Sequence, residues 1–139
     1  MTFTLCSKTM SIQEIIDFLI NGHDVNAQLI AFEQLKASAT EEDLQLLLQT
    51  IKSESCGFWV RELLSEPIID LAGAKALPDL LAALQKNYEE GHDNDSFTAV
   101  LMDLAESDPI GVKEQLVKMA KTASLSELKE INWLLEHCQ

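Results

Sequence analysis

Leu44, Leu80 and Leu116 stand 36 residues apart, and one helical turn later Leu48, Leu84 and Ala120 keep the same stride. A period in the thirties is the mark of stacked helical hairpins, in which each unit buries its apolar face on its neighbours and leaves long outer surfaces free. Such an architecture points to binding rather than to chemistry. One helix upstream, Phe32 and Leu35 map onto Ile68 and Leu71 at 36 residues, and these map onto Leu101 and Leu104 at 33. Two helices per unit therefore recur. The drop from 36 to 33 predicts three additional residues in the last inter-helix connection, around Ser107 to Gly111, because insertions fall in loops. Some columns fail, since the 36-residue stride carries Leu35 and Leu71 to Ser107 and carries Ile51 to Asn87.

A chain of 139 residues reads as one domain, residues 1–139, able to bury roughly two thirds of its unfolded surface without covalent staples. With 47% hydrophobic residues and only three Pro and five Gly, it has the composition of an ordered, helix-rich protein. Cys6, Cys56 and Cys138 are odd in number and share no short spacing, which argues against a disulfide framework or a zinc site and for a reducing compartment. Met1 to Met10 holds one Lys and no apolar run of signal-peptide length, and nowhere do eighteen apolar residues follow one another. A cytoplasmic location is expected.

The net charge of −13 is unevenly placed. Residues 1–52 hold 3 basic and 7 acidic side chains, residues 53–111 hold 3 and 12, and residues 112–139 hold 4 and 4. A field of that sign repels phosphate backbones and anionic lipid and speeds encounter with a basic protein. Nucleic acid and membrane are therefore disfavoured as direct partners.

Local signals delimit the helices. Ser11 and Glu14 form a capping box ahead of the stripe Ile12, Ile15, Ile16, Leu19, which ends at Asn21 and Gly22. A second helix from about Val25 to Ala37 sets Leu29, Phe32 and Leu35 on one side. Thr40 caps a third, with Glu41, Glu42 and Asp43 in its first turn and Leu44, Leu47, Leu48 and Ile51 facing inward. From about Ser55 to Ala72 the apolar rhythm Trp59, Leu63, Leu64, Ile68, Leu71 predicts one helix bent at Pro67, with a break into two short helices as the competing reading. Leu77 and Pro78 open the next, which carries Leu80, Leu81 and Leu84 to about Tyr88. A polar stretch, Glu89 to Asp95, precedes a helix over Ser96 to Ser107 that Asp95 or Ser96 would cap. A further helix follows Pro109, from about Ile110 to Lys121. Ser124 and Glu127 form a second capping box before a terminal helix with Leu128, Ile131, Leu134 and Leu135 apolar. No stretch shows the alternation of a strand.

The run Val60-Arg61 through Pro67-Ile68-Ile69-Asp70-Leu71-Ala72-Gly73, followed by Ala76-Leu77-Pro78-Asp79-Leu80-Leu81-Ala82-Ala83-Leu84, resembles a HEAT-type repeat over about 35 residues: a helix with an internal Pro, a tight turn, and an Ala-Leu-Pro start to the second helix. The resemblance implies an all-α fold in which antiparallel helical hairpins stack as a short right-handed solenoid of about seven to eight helices. It also implies a scaffold or protein binder that uses its second helices or its inter-helix loops. Some helical-repeat relatives bind DNA, but the acidity of this chain departs from the basic groove they need.

Few constellations carry chemistry. Glu89 and His92 form a single Glu-x-x-His, whereas di-iron bundles need two such units on long helices, and Gly91 interrupts this one. Asp93-Asn94-Asp95 begins like a calcium loop, yet its sixth and twelfth positions hold Thr98 and Leu104 in place of Gly and Glu. No metal or cofactor is expected. Cys56 sits at a helix start, where a dipole can activate a thiol, but His23, His92 and His137 lie in other elements and supply no base. Trp59 and Trp133 fall in apolar rhythm and read as core, with Trp133, on a terminal helix, the better binding candidate. A line of carboxylates, Glu62, Glu66 and Asp70, would align with Asp103 and Glu106 of the next unit into an acidic strip. The loop with Tyr88, Glu89, Glu90, His92, Asp93 and Asp95 reads as a second contact region, anchored by Tyr88 and His92. The expected function is a non-catalytic binder of a basic protein, most specifically an immunity protein that neutralises a basic toxin such as a nuclease. A HEAT-like adaptor or assembly factor is the alternative, and an enzyme using Cys56 or the Glu89/His92 cluster the least favoured.

Overall fold

The computed structural model describes residues 10–138; Cys6 and the rest of the N-terminal segment lie outside the described residues. Among these residues the fold is all-helical, with eight α-helices and no strand: α1 (Ile12–Asn21), α2 (Val25–Ser38), α3 (Leu44–Lys52), α4 (Phe58–Ala72), α5 (Leu77–Glu89), α6 (Asp95–Ser107), α7 (Pro109–Ala120) and α8 (Leu125–Leu135). Short 3-10 turns, Glu41–Asp43 and Gly73–Ala76, lead into α3 and α5. No helix among the described residues is long and apolar enough to cross a membrane.

Local chemistry sets the ends. Both capping boxes form, with Ser11 Oγ accepting from Glu14 N–H and Glu14 accepting from Ser11 N–H at one site, and Ser124 and Glu127 exchanging the same bonds at the other. Asp108 caps α7 by accepting from Gly111 N–H. At the end of α5, Gly91 takes φ +82, and the N–H groups of Gly91 and His92 return to the carbonyls of Tyr88 and Asn87, the bond pair of a Schellman cap. Only a residue tolerant of the left-handed region suits that turn.

The helices pack in two interleaved sets. On one side α3 packs on α5 and α5 on α7; on the other α2 packs on α4, α4 on α6 and α6 on α8; the contacts α1 with α2, α3 with α4, α6 with α7 and α7 with α8 join them. One apolar cluster runs from Ile15 in α1 to Leu134 in α8. Phe32, Ile68 and Leu101 are all buried, as are Leu80 and Leu116. Leu44, at the same 36-residue stride, is only half-buried; the principal helix contacts of α3 are with α4 and α5.

Several local expectations are corrected. Leu29 is exposed, and Gln28 takes the inward place on α2, donating Nε2 to the carbonyls of Leu19 at 2.9 Å and Gly22 at 3.1 Å and so closing the end of α1. Helix α4 begins at Phe58 rather than Ser55, because Ser53 to Gly57 form a turn and an extended cap. It continues unbroken through the buried Pro67, so the two-helix alternative does not occur. Asn94, not Asp95 or Ser96, occupies the N-cap of α6. The change of stride is not a longer loop: Asp108 alone separates α6 from α7, while four residues separate α4 from α5, and the additional residues lie within the helices.

Candidate interaction surfaces

The acidic line on α4 divides into three environments. The half-buried Glu62 carboxyl is held above its ordinary value, chiefly by burial with Asp93 adding to it, while the backbone N–H of Phe97 at the start of α6 and His92 act in the opposite sense. Glu62 is thus set against the positive end of a neighbouring helix. Glu66 pairs with Lys36 of α2 at 3.4 Å. Asp70 is exposed. Glu66 and Asp70 share with Asp103 of α6 an open groove of about 280 Å³ floored by Ile69, Val100 and Leu104. Carboxylates from two successive helices of one set therefore meet on one surface. Glu106 is exposed on α6 but does not line this groove, and neither does Glu62.

The loop after α5 is built around the chain's single arginine. Arg61 is fully buried on α4, in helical register with Leu64 and Ile68. It donates Nε to Asn87 Oδ1 at 2.6 Å and a terminal nitrogen to the Cys56 carbonyl at 2.7 Å, and its other terminal nitrogen pairs with the Glu90 carboxylate. Glu90 also lies 3.5 Å from His92 Nε2, and the His92 ring stacks on Phe58 with centroids 4.2 Å apart. Asp93 accepts from the N–H of Asp95 at 2.9 Å in a local turn, and both side chains are exposed. Glu90, His92 and the turn after them are therefore tied to α4.

Tyr88 and Glu89 leave this cluster and line a different feature, a cavity of about 630 Å³ between α5, α6 and α8. Trp133, Met102 and Glu130 line it as well. The two expected anchors are thus separated, since Tyr88 joins Trp133 and His92 joins Phe58. Glu89 and His92, the halves of the Glu-x-x-His, likewise part. The sequence signals for the cavity are Tyr88 and Glu89 in the polar loop and Trp133 on a terminal helix; nothing in the sequence marks Met102 or Glu130 for it. A neighbouring cavity of about 360 Å³ between α5, α7 and α8 shares Gln85 and Glu130 with the first. Gln85 reaches across to Ser126 at 3.0 Å.

Cys56 is buried, and burial pushes its thiol up to about 11 despite the opposing influence of Arg61 and Lys86. A thiol so placed is a poor nucleophile near neutral pH. Trp59 and Trp133 are both half-buried, and Trp133 makes an edge contact with His137 at 5.5 Å.

In comparisons with known proteins the chain matches no family model, no curated protein and no solved structure.

Proposed function

We propose that this chain is a non-catalytic, HEAT-like helical-repeat domain that binds a basic protein, in its most specific form an immunity protein that neutralises a basic toxin such as a nuclease by one-to-one association in the cytoplasm. The observation that carries the reading is the convergence of Glu66 and Asp70 from α4 with Asp103 from α6 on one open groove, within the stretch that holds 12 acidic and 3 basic residues. Of those three bases, Arg61 is buried and paired with Glu90, a neutral couple that leaves the net charge of −9 on the other side chains of the stretch. A nuclease must present a basic surface to hold phosphate, and a carboxylate-lined face is complementary to it. The packing of α3 on α5 on α7 beside α2 on α4 on α6 on α8 supports the stacked-repeat reading, in which such faces are the working surface.

The test is retention from native-cell extract at low salt, with mass spectrometry of what is held by the protein and by its Asp70→Lys/Asp103→Lys form. A basic protein bound in equimolar amount, lost from the double variant, and inhibited in its own activity by one equivalent is the expected result. Retention of acidic proteins alone, or equal retention by both forms, would contradict it.

A further inference from the structure

We infer that the cavity between α5, α6 and α8 is a subsite for one guanidinium or ammonium side chain of the basic partner, held between Tyr88 and Trp133 with Glu130 as its counter-charge. This rests on the acidic-binder reading and gives it a second, chemically defined contact away from the α4/α6 groove.

Three observations lead there. First, the cavity holds about 630 Å³ and has two aromatic residues among its lining, Tyr88 nearly half exposed at 48% and Trp133 half-buried. Tyr and Trp are the residue types that concentrate binding energy at interfaces, and their faces attract cations. Second, the charges select the ligand. Glu89 and Glu130 line the cavity against one base, Lys129, and the Tyr88 hydroxyl lies in the field of both Glu130 and Asp95. An anionic group entering here meets like charge, and a purely apolar one strips water from Glu130 without replacing it. A cation satisfies both the rings and the carboxylate. Third, Glu130 is already partly desolvated, since burial holds its carboxyl above the ordinary value while Lys129 acts the other way. A carboxylate in that state gains more from an arriving positive charge than one in open water. The adjoining cavity, with Leu81, Met119 and Ile131 in its walls, then accommodates an apolar neighbour of the cationic residue.

The experiment is an NMR titration of the full chain with N-acetyl-arginine amide, following the Trp133 indole N–H, beside the same titration with the neutral isostere N-acetyl-citrulline amide. The subsite requires a saturable shift with the arginine probe and binding at least about fivefold weaker for the citrulline probe, in line with a cation–aromatic contact plus one ion pair. Glu130→Gln and Tyr88→Ala should each weaken the arginine probe by at least about threefold, and Tyr88→Phe, which keeps the ring, should retain most of it. Equal affinity for the two probes, no shift at tens of millimolar, or indifference to Glu130→Gln would overturn the subsite. The small probe reads this cavity alone. If Asp70→Lys/Asp103→Lys abolishes capture of a basic partner while Glu130→Gln and Tyr88→Ala leave it unchanged, the subsite falls and the acidic-binder reading stands; if the captured partner is acidic, the broader reading falls whatever the probe shows.

Discussion

Arg61 on α4 and Asn87 on α5 are joined by a 2.6 Å hydrogen bond from Nε to Oδ1, and both side chains are buried. With its bonds to the Cys56 carbonyl and to Glu90, the guanidinium fastens the turn before α4 and the end of α5 to one point. Replacing Arg61 by Met keeps the apolar stem but strands Asn87 and the Cys56 carbonyl. It should cost about 2 to 4 kcal/mol, read as a drop in the urea midpoint. Glu90→Gln leaves the buried guanidinium without its counter-charge but keeps an amide oxygen to accept from it, so it should cost less than Arg61→Met, about 1 to 2 kcal/mol. Equal losses from the two variants would mean that the ion pair, and not the buried bonds, holds the turn.

Leucines at one column of the repeat should differ according to their neighbours. Leu80 is fully buried in the middle of its set, and Leu80→Ala should cost about 2 to 5 kcal/mol. Leu44→Ala, at the half-buried first position, should cost less than half as much. Matching losses in the denaturant midpoint would contradict the difference in burial between Leu44 and Leu80.

Cys56 should resist alkylation in the folded protein at pH 8 and react only on unfolding, as mass spectrometry of iodoacetamide-treated protein reads directly. The sign of the linked pH effect follows from a folded value of about 11 against an ordinary 9.0. Between these values the unfolded chain loses the thiol proton and the folded chain keeps it, so stability should fall as pH rises through that window. Cys56→Ala should flatten the fall.

Glu127 is held below its ordinary value, first by the Ser124 backbone N–H and then by the Ser124 hydroxyl. Its contribution to α8 is present above the ordinary carboxylate range and lost as pH falls through the lowered folded value. Ser124→Ala removes the hydroxyl alone, so the Glu127 titration followed by NMR should move part of the way up, and amide protection in the first turn of α8 should drop. An unmoved titration would remove the hydroxyl from the cap.

What was legible in the sequence was local or periodic. Ser11 with Glu14 and Ser124 with Glu127 act across three residues within one chain segment, and the apolar positions Phe32, Ile68 and Leu101, picked out by their spacing, are all buried. What was hidden depends on partners far along the chain. Arg61 meets residues 26 and 29 positions away, and nothing near it marks it as inward except that it shares the helical register of Leu64 and Ile68. Glu62 reads as one more carboxylate of an exposed line until α6 is placed with the Phe97 N–H beside it. The exchange of Leu29 for Gln28 inverted a hydropathy rule, because two carbonyls at the end of α1 needed a donor. Tyr88 and Trp133 each stand out separately in the sequence, and only the packing of α5, α6 and α8 puts them on one cavity.

The central claim, that the α4/α6 acidic face steers a basic partner, is tested most directly by stopped-flow association rates with the captured partner across salt. Asp70→Lys/Asp103→Lys is compared with Glu33→Lys/Glu114→Lys, which changes the net charge equally at exposed sites on α2 and α7. Glu62 is left intact because its carboxylate is half-buried against α6. The account predicts that the wild-type association rate falls steeply as salt approaches 0.1 M, where screening acts over about 10 Å. It predicts that the α4/α6 variant associates at least about tenfold more slowly, and that the control loses far less. Equal slowing by the two variants, or a rate indifferent to salt, would contradict it and leave the charge with no directed role in binding.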